Sequence, residues 1–92
     1  MRAKRVDDNQ KQIVDSLRKL GHSVAITSMV GFGFPDIVVG NRGRNNFLFE
    51  IKDGKKTASQ KKLTEDEVKF QSNWKGQYSV VETLDEILEI IK

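Results

Sequence analysis

Two short apolar runs, Asp36-Ile37-Val38-Val39 and Phe47-Leu48-Phe49-Glu50-Ile51-Lys52, flank the turn Gly40-Asn41-Arg42-Gly43-Arg44-Asn45 and leave the middle of the chain little freedom. Glycine and asparagine tolerate positive φ, and so short a connection favours an antiparallel hairpin. Asp36 then opens one strand while Glu50-Ile51-Lys52 closes the other, so Asp36 converges on Glu50. Residues i and i+2 of a strand share a face, and Glu50 and Lys52 therefore point the same way. A carboxylate is costly to remove from water without a partner, so strand-end acids of this kind call for a cation. Two carboxylates with an ammonium beside them are the minimal set for metal-assisted phosphodiester hydrolysis. The acids hold Mg²⁺, the ion lowers the pKa of bound water, and the lysine orients that water or offsets charge in the transition state. The plainer reading of the same residues is a solvated Glu50–Lys52 pair and an Asp36 that turns the chain after Pro35. Their surroundings must separate the two.

Ninety-two residues make one domain, 1–92, with a single modest core. Charged residues are 32% and hydrophobic ones 37%, which fits a soluble globular protein with a polar surface. No stretch approaches the ~20 apolar residues of a membrane span, and no charged-then-apolar leader is visible, so a cytoplasmic location is expected. The chain has no cysteine, which excludes disulfides and thiolate metal sites, and its 1 histidine, His22, excludes a His-rich zinc site. A metal here is expected to be hard and oxygen-ligated, Mg²⁺ or Mn²⁺. The net charge is +3, but the segment from Glu82 to Lys92 is acidic, which leaves fifteen bases against nine acids in residues 1–81. Arg42 and Arg44 lie in one loop, and Lys55, Lys56, Lys61 and Lys62 in another. Basic loops beside a carboxylate pair suit a polyanionic substrate, and these six are the predicted phosphate contacts. Their simpler role is to keep a small protein soluble.

Periodicity and punctuation predict the remaining elements. A first helix is expected from about Asp7 to Leu20, with the stripe Val6, Ile13, Leu17 and Leu20, Val14 at its edge, and Gly21 as its stop. His22 to Ser28 alternates around Val24 and Ile26 and reads as a strand. Gly31-Phe32-Gly33-Phe34-Pro35 is a loop, and Pro35 makes the preceding residue extended. A polar loop, Asp53 to Lys62, leads to a second helix opened by the capping box Thr64-Glu65-Asp66-Glu67 and closed near Gly76. Tyr78 to Val81 is a fourth strand. Thr83-Leu84-Asp85-Glu86 caps a last helix with the stripe Leu84, Ile87, Leu88 and Ile91. The order α-β-β-β-α-β-α predicts an α/β fold with a mixed sheet flanked by helices.

Two glutamines fall where apolar residues are expected. Helical spacing brings Glu67, Phe70, Gln71 and Trp74 into an arc about 100° wide on the second helix. If Phe70 and Trp74 face the sheet, Gln71 faces inward, where an unpaired amide costs about 1–3 kcal/mol. The carboxylate site would satisfy it, as would a backbone carbonyl at a strand end. Trp74 reads as a core anchor. Gln10 lies on the apolar side of the first helix, one turn before Ile13 and Val14, close enough to the chain's start to reach solvent instead.

Gly33-Phe34-Pro35-Asp36-Ile37-Val38-Val39-Gly40, then Phe49-Glu50-Ile51-Lys52, then Glu67-x-x-x-Gln71-x-x-Trp74, resembles the PD-(D/E)XK (restriction-endonuclease-like) nuclease superfamily. Within it the chain looks most like the virus-type replication-repair nuclease domain, VRR-NUC. The likeness runs from the first helix to the last strand and matches the family's αβββαβ core, here with a C-terminal helix. The resemblance implies that Asp36 and Glu50 ligate Mg²⁺ or Mn²⁺, with the backbone carbonyl of Ile51 as a further ligand. Lys52 then positions the attacking water and helps neutralise the pentavalent phosphate, and Gln71 assists from the second helix. Many relatives carry a glutamate on the first helix. The matching stretch here is Asp8-Asn9-Gln10-Lys11-Gln12, with Gln10 the counterpart by register, and an amide ligates metal more weakly than a carboxylate. Stand-alone domains of this size are similar to phage-encoded members, which are similar in fold to homodimeric archaeal Holliday junction resolvases. The resemblance thus implies a homodimeric DNA-repair endonuclease for four-way junctions in a bacterial host cell, with no membrane and no small-molecule cofactor. Two alternatives stay open: a monomeric nuclease for flaps, splayed arms or single strands, and a catalytically silent nucleic-acid-binding module.

Overall fold

A computed structural model describes residues 9–92. The first helix, α1, is observed over Gln10–Lys19, and its expected beginning at Val6, Asp7 and Asp8 lies outside the described residues. Gly21 ends it with φ +94°, its N–H bonded to the Arg18 carbonyl at 3.0 Å. A left-handed residue one step past a helix is the conformation that glycine adopts without strain. Three strands follow: β1 (Ser23–Ile26), β2 (Ile37–Gly40) and β3 (Asn46–Ile51). The predicted hairpin is present, with β2 and β3 antiparallel and Ile37 opposite Phe49. β1 adds to the free side of β2, also antiparallel.

A short helix that the sequence did not reveal, α2 (Ala58–Lys61), interrupts the expected polar loop. Thr57 and Gln60 form a reciprocal capping box around it, which is enough to nucleate one turn. Both predicted capping boxes are also formed, Thr64–Glu67 opening α3 (Glu65–Asn73) and Thr83–Glu86 opening α4 (Leu84–Ile91). Between them β4 (Tyr78–Val81) lies parallel to β3. The sheet order is β1-β2-β3-β4, a mixed sheet with helices on both faces.

Alternation along β3 decides which helix lies where. Phe47, Phe49 and Ile51 join Ile37, Val39 and Val81 in a core closed by Ile13, Val14 and Leu17 of α1 and Ile87 and Ile91 of α4. Leu48, Glu50 and Lys52 take the opposite face, where α3 crosses between two parallel strands. Three apolar expectations need correction. Leu20 is half-exposed at the C-cap of α1, Ile26 is 56% exposed on the edge strand, and Val14 is fully buried rather than marginal. Among the described residues no helix is long and apolar enough to cross a membrane.

Candidate functional site

One end of the sheet collects the start of β2, the ends of β3 and β4, and the first turns of α1 and α3. Asp36 and Glu50 are both buried there, 3% and 1% exposed. The Asp36 carboxylate accepts the Ile51 backbone N–H at 2.7 Å, so it lies against the peptide unit that follows Glu50. Its own backbone is pinned on both sides. The Asp36 N–H donates to the Phe49 carbonyl and its carbonyl accepts the Thr27 N–H. Lys52 Nζ stands 3.4 Å from Glu50 Oε2, which fulfils the expectation that these two side chains share a face.

The third acid is Glu67. It is 3% exposed, its Oε1 accepts from Lys52 Nζ at 3.1 Å and from the Thr64 N–H at 2.9 Å, and its carboxyl is hydrogen-bonded to that of Glu50. Two carboxyl groups in such contact hold a proton or a cation between them. Burial pushes Glu67 upward, but the Thr64 N–H, Glu50 and Lys52 together outweigh it and hold Glu67 down at about 2. Burial likewise depresses Lys52, and its bonds to Glu67 and Glu50 more than restore it, leaving the ammonium above its usual range. Lys52 is therefore a charged lysine between two acids.

Gln71 is not where the sequence placed it. It is exposed, and α3 turns its Glu67–Phe70 edge to the sheet instead. One residue of helix is about 100° of rotation, so a small change in docking moves Gln71 from the sheet to solvent. Trp74 is corrected as well. It caps α3 with an extended ψ of 126°, is 43% exposed, and stacks on Phe70 rather than anchoring the core. The sequence marked Glu67 as a capping residue and as part of the arc with Phe70, Gln71 and Trp74, but not as a partner of Lys52; that bond depends on the crossing of α3 over β3.

Gln10 does face inward. It is 4% exposed, and its amide is engaged by Ser28 Oγ at 3.1 Å, which in turn approaches the Asp36 carbonyl at 3.4 Å. Its observed role is to brace the strand end behind Asp36. Asn9 adds a second brace, donating to the carbonyls of Lys52 and Glu82. The basic loops divide. Lys55, Lys56, Lys61 and Lys62 follow the end of β3 and share this end of the sheet, with Lys61 paired to Glu82 at 3.0 Å. Arg42 and Arg44 occupy the β2–β3 turn at the other end, roughly 20 Å away along the strand, and so do not lie beside the acids.

No family model matches this chain, and no curated protein or solved structure matches it either. The chemistry of the site therefore rests on its own donors. Those are carboxylate and carbonyl oxygens, the set that suits a hard cation. Among the described residues no cluster of three or more His, Cys, Asp or Glu is arranged to hold a metal ion. That is compatible with Mg²⁺, which is commonly held by one or two carboxylates and keeps water and substrate oxygens for its remaining positions. Asp36, Glu50 and the Ile51 carbonyl are the groups here that would hold one.

Proposed function

We propose that this chain is a Mg²⁺- or Mn²⁺-dependent DNA endonuclease of the PD-(D/E)XK kind, of VRR-NUC type, acting as a homodimer on branched DNA such as four-way junctions. The observation that carries the reading is the meeting of Asp36, Glu50 and Lys52 at one sheet end. The two acids come from neighbouring antiparallel strands, and the ammonium is 3.4 Å from one of them. A buried acid pair with a charged lysine is an expensive arrangement for a fold of this size unless it serves chemistry.

A bound metal ion would polarise the scissile phosphate and acidify an attacking water. Asp36 and Glu50 would hold it, with Asp36 fixed in place by the Ile51 N–H. Lys52, kept protonated by Glu50 and Glu67, offsets the negative charge that builds on the phosphorus oxygens. Glu67 is a positioning residue that sets where the ammonium sits. Gln71, exposed on α3, is left with no part in this step, and Gln10 acts as a brace rather than a ligand. Lys55, Lys56 and Lys62 are the nearest bases for flanking phosphates, and Arg42 and Arg44 could reach only more distant parts of the duplex.

Dimerisation is part of the proposal because the described residues form one such site, and symmetric resolution of a junction needs two. Edge strand β1 and the exposed Ile26, Met29 and Val30 beside it offer a surface for a second copy. The deciding experiment incubates purified protein with junction, flap and linear duplex DNA in Mg²⁺ and in Mn²⁺. Paired cuts across the junction that EDTA abolishes are expected. Junction binding with no cleavage in either metal would leave only a recognition module.

A further inference from the structure

We infer that Phe32 is a nucleobase contact, a side chain that stacks on an unpaired base of the substrate beside the acidic site. This rests on the nuclease reading and narrows its substrate to DNA with unpaired or unstackable bases at the cut.

The Gly31–Phe34 segment is a tight turn. The Phe34 N–H bonds to the Gly31 carbonyl at 3.1 Å, and both central residues have positive φ, Phe32 at +56° and Gly33 at +78°. Those are the signs of a type I′ turn, whose central positions favour asparagine and glycine. A phenylalanine is strained there, and bulky residues in this region are uncommon. Nothing in the core compensates for it, because Phe32 is 90% exposed. An exposed aromatic residue held in an unfavourable backbone conformation is a poor choice for stability and a reasonable one for contact with a ligand.

The turn is also held rigidly. A Cβ at Gly33 would collide with the Asp66 carbonyl oxygen, so the turn lies directly on the start of α3. Phe34 anchors the other side, edge-on to Phe70 at 5.3 Å and to Trp74 at 6.5 Å. A cleft of about 200 Å³ is lined jointly by the turn and by Thr64, Asp66 and Glu67, and the chain runs on through Pro35 into Asp36. Phe32 thus stands at the lip of a cleft that also reaches Glu67, the acid bonded to Lys52. A flat hydrophobic ring there suits the face of a nucleobase, to which stacking adds affinity without sequence preference, and in a stacked duplex that face is reached only after a step is unstacked, at a cost in free energy.

Turn chemistry makes the test clean. Phe32→Asn removes the ring and installs a residue the turn prefers, so it should fold with an unchanged or higher Tm. Phe32→Trp keeps a stacking surface. Binding is measured in Ca²⁺, with 2-aminopurine placed in the unpaired arm of a splayed duplex and with a fully paired duplex as control. Cleavage of the splayed duplex and of a four-way junction is followed separately in Mg²⁺. Phe32→Asn should lose on the order of tenfold in affinity for the splayed DNA, and lose the fluorescence change, while its affinity for paired duplex stays the same. Phe32→Trp should restore both. Equal binding of splayed DNA by wild type and Phe32→Asn, or an equal loss on both DNAs, would overturn the base contact while Mg²⁺-dependent cleavage still upheld the nuclease reading. Phe32-dependent binding without cleavage by wild type would uphold the contact and remove the nuclease. Failure of wild type to bind either DNA would remove the contact, and failure to cut the junction as well would remove the nuclease.

Discussion

Lys52 stands between two buried acids, Glu50 at 3.4 Å and Glu67 at 3.1 Å, and its removal leaves them facing each other. Lys52→Ala should therefore abolish cleavage while junction binding stays nearly intact, and should destabilise the metal-free protein by about 3 kcal/mol at neutral pH. Urea denaturation and a cleavage assay check the two halves; cutting at the wild-type rate would place the site elsewhere. Glu67 makes a pH-dependent contribution whose sign is fixed by its low pKa. Its folded value of about 2 lies below the usual 4.5, so the stabilisation is complete above 4.5 and disappears as pH falls toward 2. The full amount is at most about 3 kcal/mol. Glu67→Gln should flatten the acid limb of a stability–pH curve, and an unchanged limb would show that other acids dominate it. Glu50 and Lys52 were legible in the sequence because i and i+2 share a strand face whatever surrounds them. Glu67 was not, because its partner lies on another element.

At the scale of elements, capping chemistry accounts for most of what local sequence specifies. Thr57, Thr64 and Thr83 each accept the N–H of the glutamine or glutamate three residues on, and each opens a helix. Thr64 has the added task of holding Glu67 at the site. Thr64→Ala should cost about 1 kcal/mol in stability and should also lower the cleavage rate, whereas Thr83→Ala, with a similar stability cost, should leave cleavage unchanged. Equal rates for the two variants would separate the cap from the site. The Gly31–Phe34 turn has a strict requirement at Gly33, where a side chain meets both a positive φ and the backbone of α3. Gly33→Ala should destabilise by about 2 kcal/mol or more, read as a fall in thermal midpoint. The sequence marked this stretch as a loop but not which glycine bears the close approach.

Across the whole molecule, the end of the sheet that holds the acids also carries Lys55, Lys56 and Lys62, while Arg42 and Arg44 sit at the far end. Replacing Lys55 and Lys56 with glutamine should flatten the salt dependence of DNA binding, by roughly 0.9 in slope for each phosphate left without its cation. The same change at Arg42 and Arg44 should have a smaller effect, and equal slopes would mean that the DNA runs the full length of the sheet. Local interactions alone specified the hairpin, the three-strand run followed by a crossover, the caps and the shared face of Glu50 and Lys52. Each depends on residues close in sequence, through turn φ, strand alternation or a hydroxyl reaching the next turn. Only the tertiary structure decided how α3 is rotated on the sheet, and with it Glu67 rather than Gln71 at Lys52, Trp74 at the surface and Gln10 behind Asp36. A short helix with apolar residues on several sides has no single face to bury. Its rotation is settled by the buried charges it must satisfy, and those come from strands distant in the chain.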